Sequence, residues 1–180
     1  DKDCDEGYLC KKNPDLEAKL EGDDIGKELW AYIPMNALPY LKYLANLKYS
    51  DCHIYYVDQR AMLFDASIQT SHSVPISVTT PDGNTITKNW ATILIGEMRF
   101  GGSPNPPGNA PWLHGKRVGL SSIFALDITD PEDPKLLWEF TDWDLGFTTS
   151  YPAIVRIGDP DAGGPRQDDR LEGDWYVVLG

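Results

Sequence analysis

Two stretches of this chain carry the same strand motif, Leu-Trp-x-aromatic, opening just after a turn. One is Gly26-Lys27-Glu28-Leu29-Trp30-Ala31-Tyr32-Ile33-Pro34; the other begins at Leu137-Trp138-Glu139-Phe140 and runs through Asp142-Trp143-Asp144 to Tyr151-Pro152. A strand motif repeated around a fixed Trp marks an architecture of stacked units, because each unit leaves an apolar face that a neighbour must cover. The period along most of the chain agrees with strands. His53–Asp58, Met62–Ile68, Val74–Thr80, Thr85–Asn89, Trp90–Met98, Ser121–Asp127, Lys135–Phe140, Ser150–Ile157 and Trp175–Leu179 are short β-type runs separated by turn residues. Glu28–Ile33 reads as a further strand.

Pro81-Asp82-Gly83-Asn84 predicts a tight hairpin, since Pro presets one turn dihedral and Asp-Gly tolerates the positive one. Trp90–Met98 is mostly apolar and predicts a strand buried on both faces. One helix is expected, near residues 38–47, where Leu38, Leu41, Leu44 and Ala45 recur at helical spacing behind Pro39. The fold class is therefore all-β, either a propeller or a sandwich, with one short helix. Residues 1–25, charged and poor in large apolar groups, read as an acidic loop or excursion ahead of a β domain at 26–180. Gly101–Pro111, dense in Pro and Gly, and the acidic Gly158–Asp174 read as long surface loops.

Charge narrows the partners. Acidic residues outnumber basic ones 28 to 16, for a formal net charge of −12. That opposes nucleic-acid binding, which needs Lys and Arg to displace counterions, and it is equally unsuited to an anionic membrane surface. No run approaches the roughly 18 apolar residues that a membrane helix needs, so no membrane insertion is expected. Cys4, Cys10 and Cys52 form no CxxC pair, which sets aside zinc-ribbon and thioredoxin-type readings. In an oxidising compartment two of them would form a disulfide, with Cys4–Cys10 and either one to Cys52 all open. The polar opening at Asp1 and the apolar strand just before Gly180 suggest a piece of a longer polypeptide.

Candidate chemistry is sparse. Asp1-x-Asp3-x-Asp5 is a metal-type spacing, since carboxylates at alternating loop positions can converge on calcium, which takes about six to eight oxygens. Glu6 stands where such a loop wants glycine and Lys12 where it wants a bidentate acid, so a solvated acidic tail competes with the calcium site. Asp159, Asp161, Asp168, Asp169, Glu172 and Asp174 lack ordered ligand spacing. His53, His72 and His114 are scattered; His53, on an apolar run, reads as a satisfied core histidine. Ser121-Ser122 lacks a nucleophile elbow, and Gly101-Gly102 lacks a following Lys-Ser/Thr. Asp142-x-Asp144 reads as a turn cap before it reads as an acid–base pair.

The blocks Gly26-x-Glu28-x-Trp30-Ala31-Tyr32-Ile33-Pro34, His53-x-Tyr55-Tyr56-Val57-Asp58, Trp90-x-Thr92-Ile93-Leu94-Ile95-Gly96, Ile123 to Pro131, Leu137 to Pro152 and Trp175 to Gly180 occur in an order that resembles the C-terminal β-propeller of type IV pilus tip-associated proteins, the PilY1 family. The Ala-Leu-Asp, turn, Leu-Trp-x-Phe pattern is also similar to quinoprotein dehydrogenase propellers. The resemblance implies a partial β-propeller, with Trp30 and Trp138 packed between blades. About four to eight blades close a propeller at about 40–50 residues each, so residues 26–180 imply three or four of them at most.

By the same resemblance the protein is a non-catalytic adhesin and assembly factor at the bacterial pilus tip, extracellular on the cell surface. Its implied partners are minor pilins and host or abiotic surface ligands. Calcium-linked control of retraction and twitching motility is implied too, with the family's calcium loop expected beyond Gly180. Gly101–Trp112 departs from the family's compact turn and is expected to be a contact loop. The alternative reading, a quinoprotein-type dehydrogenase, meets no adjacent cysteines here.

Overall fold

The computed structural model describes residues 26–51, 53–79, 83–102, 112–113, 115–157 and 174–179. Its organising element is a single long strand. The sequence TITKNWATILIGE carries β-branched and apolar residues without a breaker until Gly96, and the two strands expected from Thr85–Asn89 and Trp90–Met98 are one, β3 (Thr85–Glu97). β1 (Met62–Ala66) and β2 (Val74–Thr79) lie along it in turn. β1 pairs antiparallel from Met62↔Ile95 to Ala66↔Ala91, and β2 takes over from Val74↔Trp90 to Thr79↔Thr85. This confirms the β2–β3 hairpin; Gly83 holds the positive φ of 86° that its turn needs, while Pro81 and Asp82 lie outside the described residues.

β6 (Ile123–Asp127) pairs with β3 from Ile93↔Asp127 to Glu97↔Ile123, and β7 (Lys135–Phe140) pairs with β6. The five-stranded sheet thus runs β1-β3-β6-β7, with β2 also on β3. A bulge between Ala125 and Leu126 shifts the β6–β7 register. Two small antiparallel pairs accompany it: β4 (Trp112–Leu113) with β5 (Lys116–Arg117), and β8 (Ala153–Ile157) with β9 (Asp174–Val178).

Cross-strand partners share a face of a sheet. Ala66, Ala91, Ile93, Ile95, Ile123 and Ala125 thereby form one buried apolar face, and Ile154, Trp175 and Val177 of the β8–β9 hairpin pack on it with Leu145. Phe64 and Trp175 approach to 6.4 Å between ring centroids, and Trp175 Nε1 donates to Ser67 Oγ at 3.4 Å. On the opposite face Phe124 lies directly over Gly96, so close that a Cβ there would stand 2.1 Å from the ring. Tyr32 stacks on Phe124 at 4.8 Å.

The all-β expectation holds, and the described residues form no closed ring of sheets. Three local expectations are corrected. β3 is not buried on both faces throughout: Ala91, Ile93 and Ile95 are buried while Thr92 and Leu94 are half-buried, and only Gly96, Glu97 and Met98 are enclosed on every side. Glu28–Ile33 and His53–Asp58 are not strands, and the second bends at Tyr56 and Val57; alternation there reflects alternating burial without a ladder partner.

The helix begins earlier than expected and is a 3-10 helix, Met35–Ala45, leaving Leu47 fully exposed. Pro39 has no N–H to donate and opposes α-geometry over this stretch. The early start has a physical cause in a carboxylate supplied by β7, described below.

Candidate functional site

The apolar sheet face is only partly roofed. Between it and the β8–β9 hairpin runs a groove of about 600 Å³, walled by Phe64, Ile95, Ile123, Trp138, Ile154 and Val177 among others. Trp138 and Phe140 pair with Ala125 and Ile123 and so share their face. Yet they remain 38% and 49% exposed, because β7 carries that face past the cover the hairpin provides. Trp138, expected to pack between structural units, therefore stands at the rim of an open apolar surface.

Glu139, between those two residues, points to the other face and organises the N-terminal segment. Its carboxylate accepts four hydrogen bonds: Tyr32 Oη at 3.1 Å, Met35 N at 2.8 Å, Asn36 N at 3.1 Å and Asn36 Nδ2 at 2.8 Å. Met35 and Asn36 open the 3-10 helix, where backbone N–H groups have no partner within the helix, and Pro34 supplies no side-chain cap. Glu139 serves as that cap from a strand over a hundred residues away, and its negative charge suits the positive end of the helix dipole. Burial, then the Glu139 charge and hydrogen bond, hold the Tyr32 phenol well above its usual range. Asn36 Oδ1 in turn accepts the Leu120 amide at 3.1 Å, Tyr40 Oη donates to Gly119 O at 2.6 Å, and Trp30 Nε1 donates to Pro131 O at 2.9 Å.

A second polar node lies where β3 ends. Glu97 is 1% exposed, and neither carboxylate oxygen completes a hydrogen bond. Burial pushes this carboxyl up to about 7, and a weak contact from Gln59 that satisfies neither oxygen pulls the other way. The Ser121 hydroxyl, just before β6, is equally buried and unpaired. Two segments, 56–60 and 141–151, meet the chain at this point. Arg99 N donates to Thr148 Oγ1 at 2.8 Å, Phe100 N to Asp58 Oδ1 at 3.1 Å, Thr141 Oγ1 to Ser121 O at 2.7 Å and Gln59 Nε2 to Ser150 O at 3.4 Å. Gly101 permits this approach, since a Cβ there would meet the Tyr56 carbonyl oxygen at 1.8 Å.

The third node fixes the β6–β7 turn. Asp127, fully buried, accepts Thr129 N at 2.9 Å and Thr129 Oγ1 at 2.6 Å, and Thr129 Oγ1 also accepts Thr92 N at 2.9 Å. Burial alone would raise the Asp127 carboxyl, but the Thr129 and Thr70 hydrogen bonds and His72 outweigh it and hold it below the usual range.

Asp1, Asp3 and Asp5, Cys4, Cys10 and Cys52, His114, residues 103–111 of the Pro-rich loop and residues 158–173 of the acidic loop lie outside the described residues. Among the described residues no three His, Cys, Asp or Glu side chains group as metal ligands. Asp142 Oδ1 accepts the Asp144 amide at 2.9 Å, the expected turn cap. Ser121 and Ser122 are fully buried.

His53 is exposed, which corrects its reading as a core histidine. It belongs to an aromatic run, Tyr49, His53, Tyr55, Phe100 and Phe147, with successive centroids 5.0–5.9 Å apart. Glu97 and Glu139 escaped the sequence reading. The only signal was a single acid closing the apolar run Ala91–Met98, and a single acid within alternating Leu137–Phe140.

Among the described residues no helix is long and apolar enough to cross a membrane. No protein-family model and no solved structure matches the chain. It is similar to a type IV pilus biogenesis factor PilY1 of Pseudomonas aeruginosa, strain UCBPP-PA14, with 31% identity over 170 residues, which is 91% of this chain and 10% of the relative. Two type IV pilus biogenesis factor PilY1 homologs of Xylella fastidiosa are 32% and 28% identical over 164 and 161 residues, 88% and 86% of this chain. The chain spans about a tenth of the length of these relatives.

Proposed function

We propose that this chain, a stretch of PilY1-family sequence, is part of a type IV pilus biogenesis factor and serves there as a non-catalytic, rigid portion of a β-propeller. The observation that carries this reading is the open apolar groove. Four of the sheet's five strands, the path β1-β3-β6-β7, match the strand count of one propeller blade, with β2 a fifth on the far half of β3; a second antiparallel pair stacks on one of its faces, and Trp138 lines the gap between them. A face left apolar at its rim is suited to further units of the same kind, which is how repeated sheets complete their cores.

In this reading the blades supply rigidity and the loops supply contacts. The Gly101–Trp112 loop is the proposed variable contact, and the exposed aromatic run that includes Phe100 adjoins its start. The protein acts outside the cell at the pilus tip, meeting minor pilins on one side and host or abiotic surface ligands on the other. Calcium, bound at Asp1, Asp3 and Asp5 or at an acidic loop beyond Gly180, tunes retraction.

The test is genetic and binding-based. In a bacterium whose PilY1-family gene carries this segment, in-frame removal of residues 26–179 is expected to abolish surface pili and twitching. Removal of the Gly101–Trp112 loop alone is expected to leave pili in place and lower surface attachment. Pili and attachment unchanged in both strains would overturn the proposal. For calcium, calorimetric titration of the chain and of the D1N/D3N/D5N variant tests the first of these sites: heat lost in the variant supports Asp1, Asp3 and Asp5, and no heat in either removes them.

A further inference from the structure

We propose that Glu97 is a proton-operated latch: while neutral it lets the 141–151 segment close over the end of β3, and once ionised it loosens that closure. The inference goes beyond the pilus reading and does not depend on it. A buried carboxylate is held by paired charges or hydrogen bonds when it is ionised, and Glu97, at 1% exposure, has neither on its two oxygens. A neutral carboxyl tolerates that setting far better than an anion. Leu145 anchors the covering segment on the apolar core, while few polar contacts fasten it at the β3 exit. Two backbone amides of the β3 exit are held by Thr148 and Asp58, and the 141–151 segment by the Thr141 and Ser150 contacts. Each of these hydrogen bonds is worth about 1 kcal/mol net, so a charge forming at Glu97, two residues before Arg99, can loosen them.

The charged and titratable groups on the surrounding segments do not supply a counter-charge to the buried oxygens. Tyr56, Asp58 and Arg60 come from the 56–60 segment, Arg99 from the β3 exit, and Asp142, Asp144 and Tyr151 from the covering segment; the start of β6 offers only Ile123, with Ser121 and Ser122 just before it. Arg99 is engaged with Asp58 at 3.7 Å and over the Phe100 ring at 4.7 Å, and Asp142 caps the Asp144 amide. With the carboxyl raised from 4.5 to about 7, closure is fully favoured below pH 4.5, weakens as pH rises, and reaches its open-prone limit above about 7. Opening would free Phe147 from Phe100 and uncover more of the aromatic run.

The test is hydrogen–deuterium exchange of the chain from pH 5 to pH 8, corrected for intrinsic rates, on peptides holding Arg99 and Phe100 and on peptides from β3 and β6 as reference. An open state with an ordinary carboxyl predicts that protection at Arg99 and Phe100 falls about 70-fold over that range in the wild type. The E97Q variant should show no such fall, and the β3–β6 peptides should stay protected in both. An equal fall in both proteins, or none in the wild type, overturns the latch. Should E97Q fail to fold, the wild-type Glu97 carboxyl is titrated by carbon-13 NMR. Ionisation near pH 7 together with the loss of protection supports the latch, and ionisation below pH 6 overturns it.

Discussion

Replacing Glu139 with alanine should cost about 3 kcal/mol of folding stability. The figure follows from what the carboxylate holds. It accepts two backbone amides, Met35 N and Asn36 N, and two side-chain donors, Tyr32 Oη and Asn36 Nδ2. Hydrogen bonds to a charged group contribute roughly 1.5–3 kcal/mol each, and a donor stranded away from water costs roughly 1–3 kcal/mol. The site is half-buried, so the two amides count at the low end and water recovers part of the loss. Glu139→Gln, of the same shape, keeps one acceptor oxygen but turns an amide NH₂ toward donors, and should cost about 2 kcal/mol. Tyr32→Phe removes one hydrogen bond and should cost about 1 kcal/mol.

The assay is urea unfolding at pH 7, read as a shift in midpoint at unchanged slope, so that the change reports stability and not compactness of the unfolded chain. In the Glu139→Ala background, Tyr32→Phe should cost almost nothing more, since its partner is already gone. A Glu139→Ala cost below 1 kcal/mol, or full additivity with Tyr32→Phe, would refute the claim that this carboxylate anchors residues 32–36.

Three further outcomes are expected. Gly96→Ala, whose Cβ would stand 2.1 Å from the Phe124 ring, should lower stability by about 2 kcal/mol through overpacking, with Phe124→Leu restoring part of it; an unchanged urea midpoint contradicts the close stacking. Thr129→Val should cost about 2 kcal/mol by removing one bond to Asp127 and leaving Thr92 N unpaired. Because Asp127 is held below its usual range, its stabilisation is present above the unfolded value and lost as pH falls through the lowered one. Thr129→Val should therefore move acid unfolding, followed by circular dichroism, to higher pH, and an unmoved or lowered midpoint counts against the Asp127 node. Phe140→Glu at the groove rim should reduce binding of an environment-sensitive apolar dye several-fold without shifting the urea midpoint; undiminished dye binding means that the groove is not the dye's site.

How much of this was legible in the sequence depended on whether partners were local. The β2–β3 hairpin was readable because turn chemistry at Asp82-Gly83 and period-two alternation reinforce each other within a few residues. β7 was readable from Lys135 to Phe140 for the same reason. The N-terminal segment was not: Leu29, Ala31 and Ile33 alternate with Trp30 and Tyr32 as a strand would, yet what holds them is an indole donor to Pro131 and a phenol donor to Glu139. Period two records which side is covered and is silent on what covers it. The helix was placed but begun too late, because its cap comes from β7 and not from the preceding residues. Glu97 was hidden for a similar reason, since only the fold brings the 56–60 and 141–151 segments to the β3 exit beside it.

The contacts from Trp30 to Pro131 and from Tyr32, Met35 and Asn36 to Glu139 join points 101 to 107 residues apart in the chain. They make a mechanical short circuit. Tension entering from the N-terminal side and leaving beyond β7 reaches Glu139 before it reaches β1, β3 or β6. The small polar fastening, and not the apolar sheet, takes the first load. While it holds, the hundred residues between are spared, and once it parts they are added to the reach of the chain.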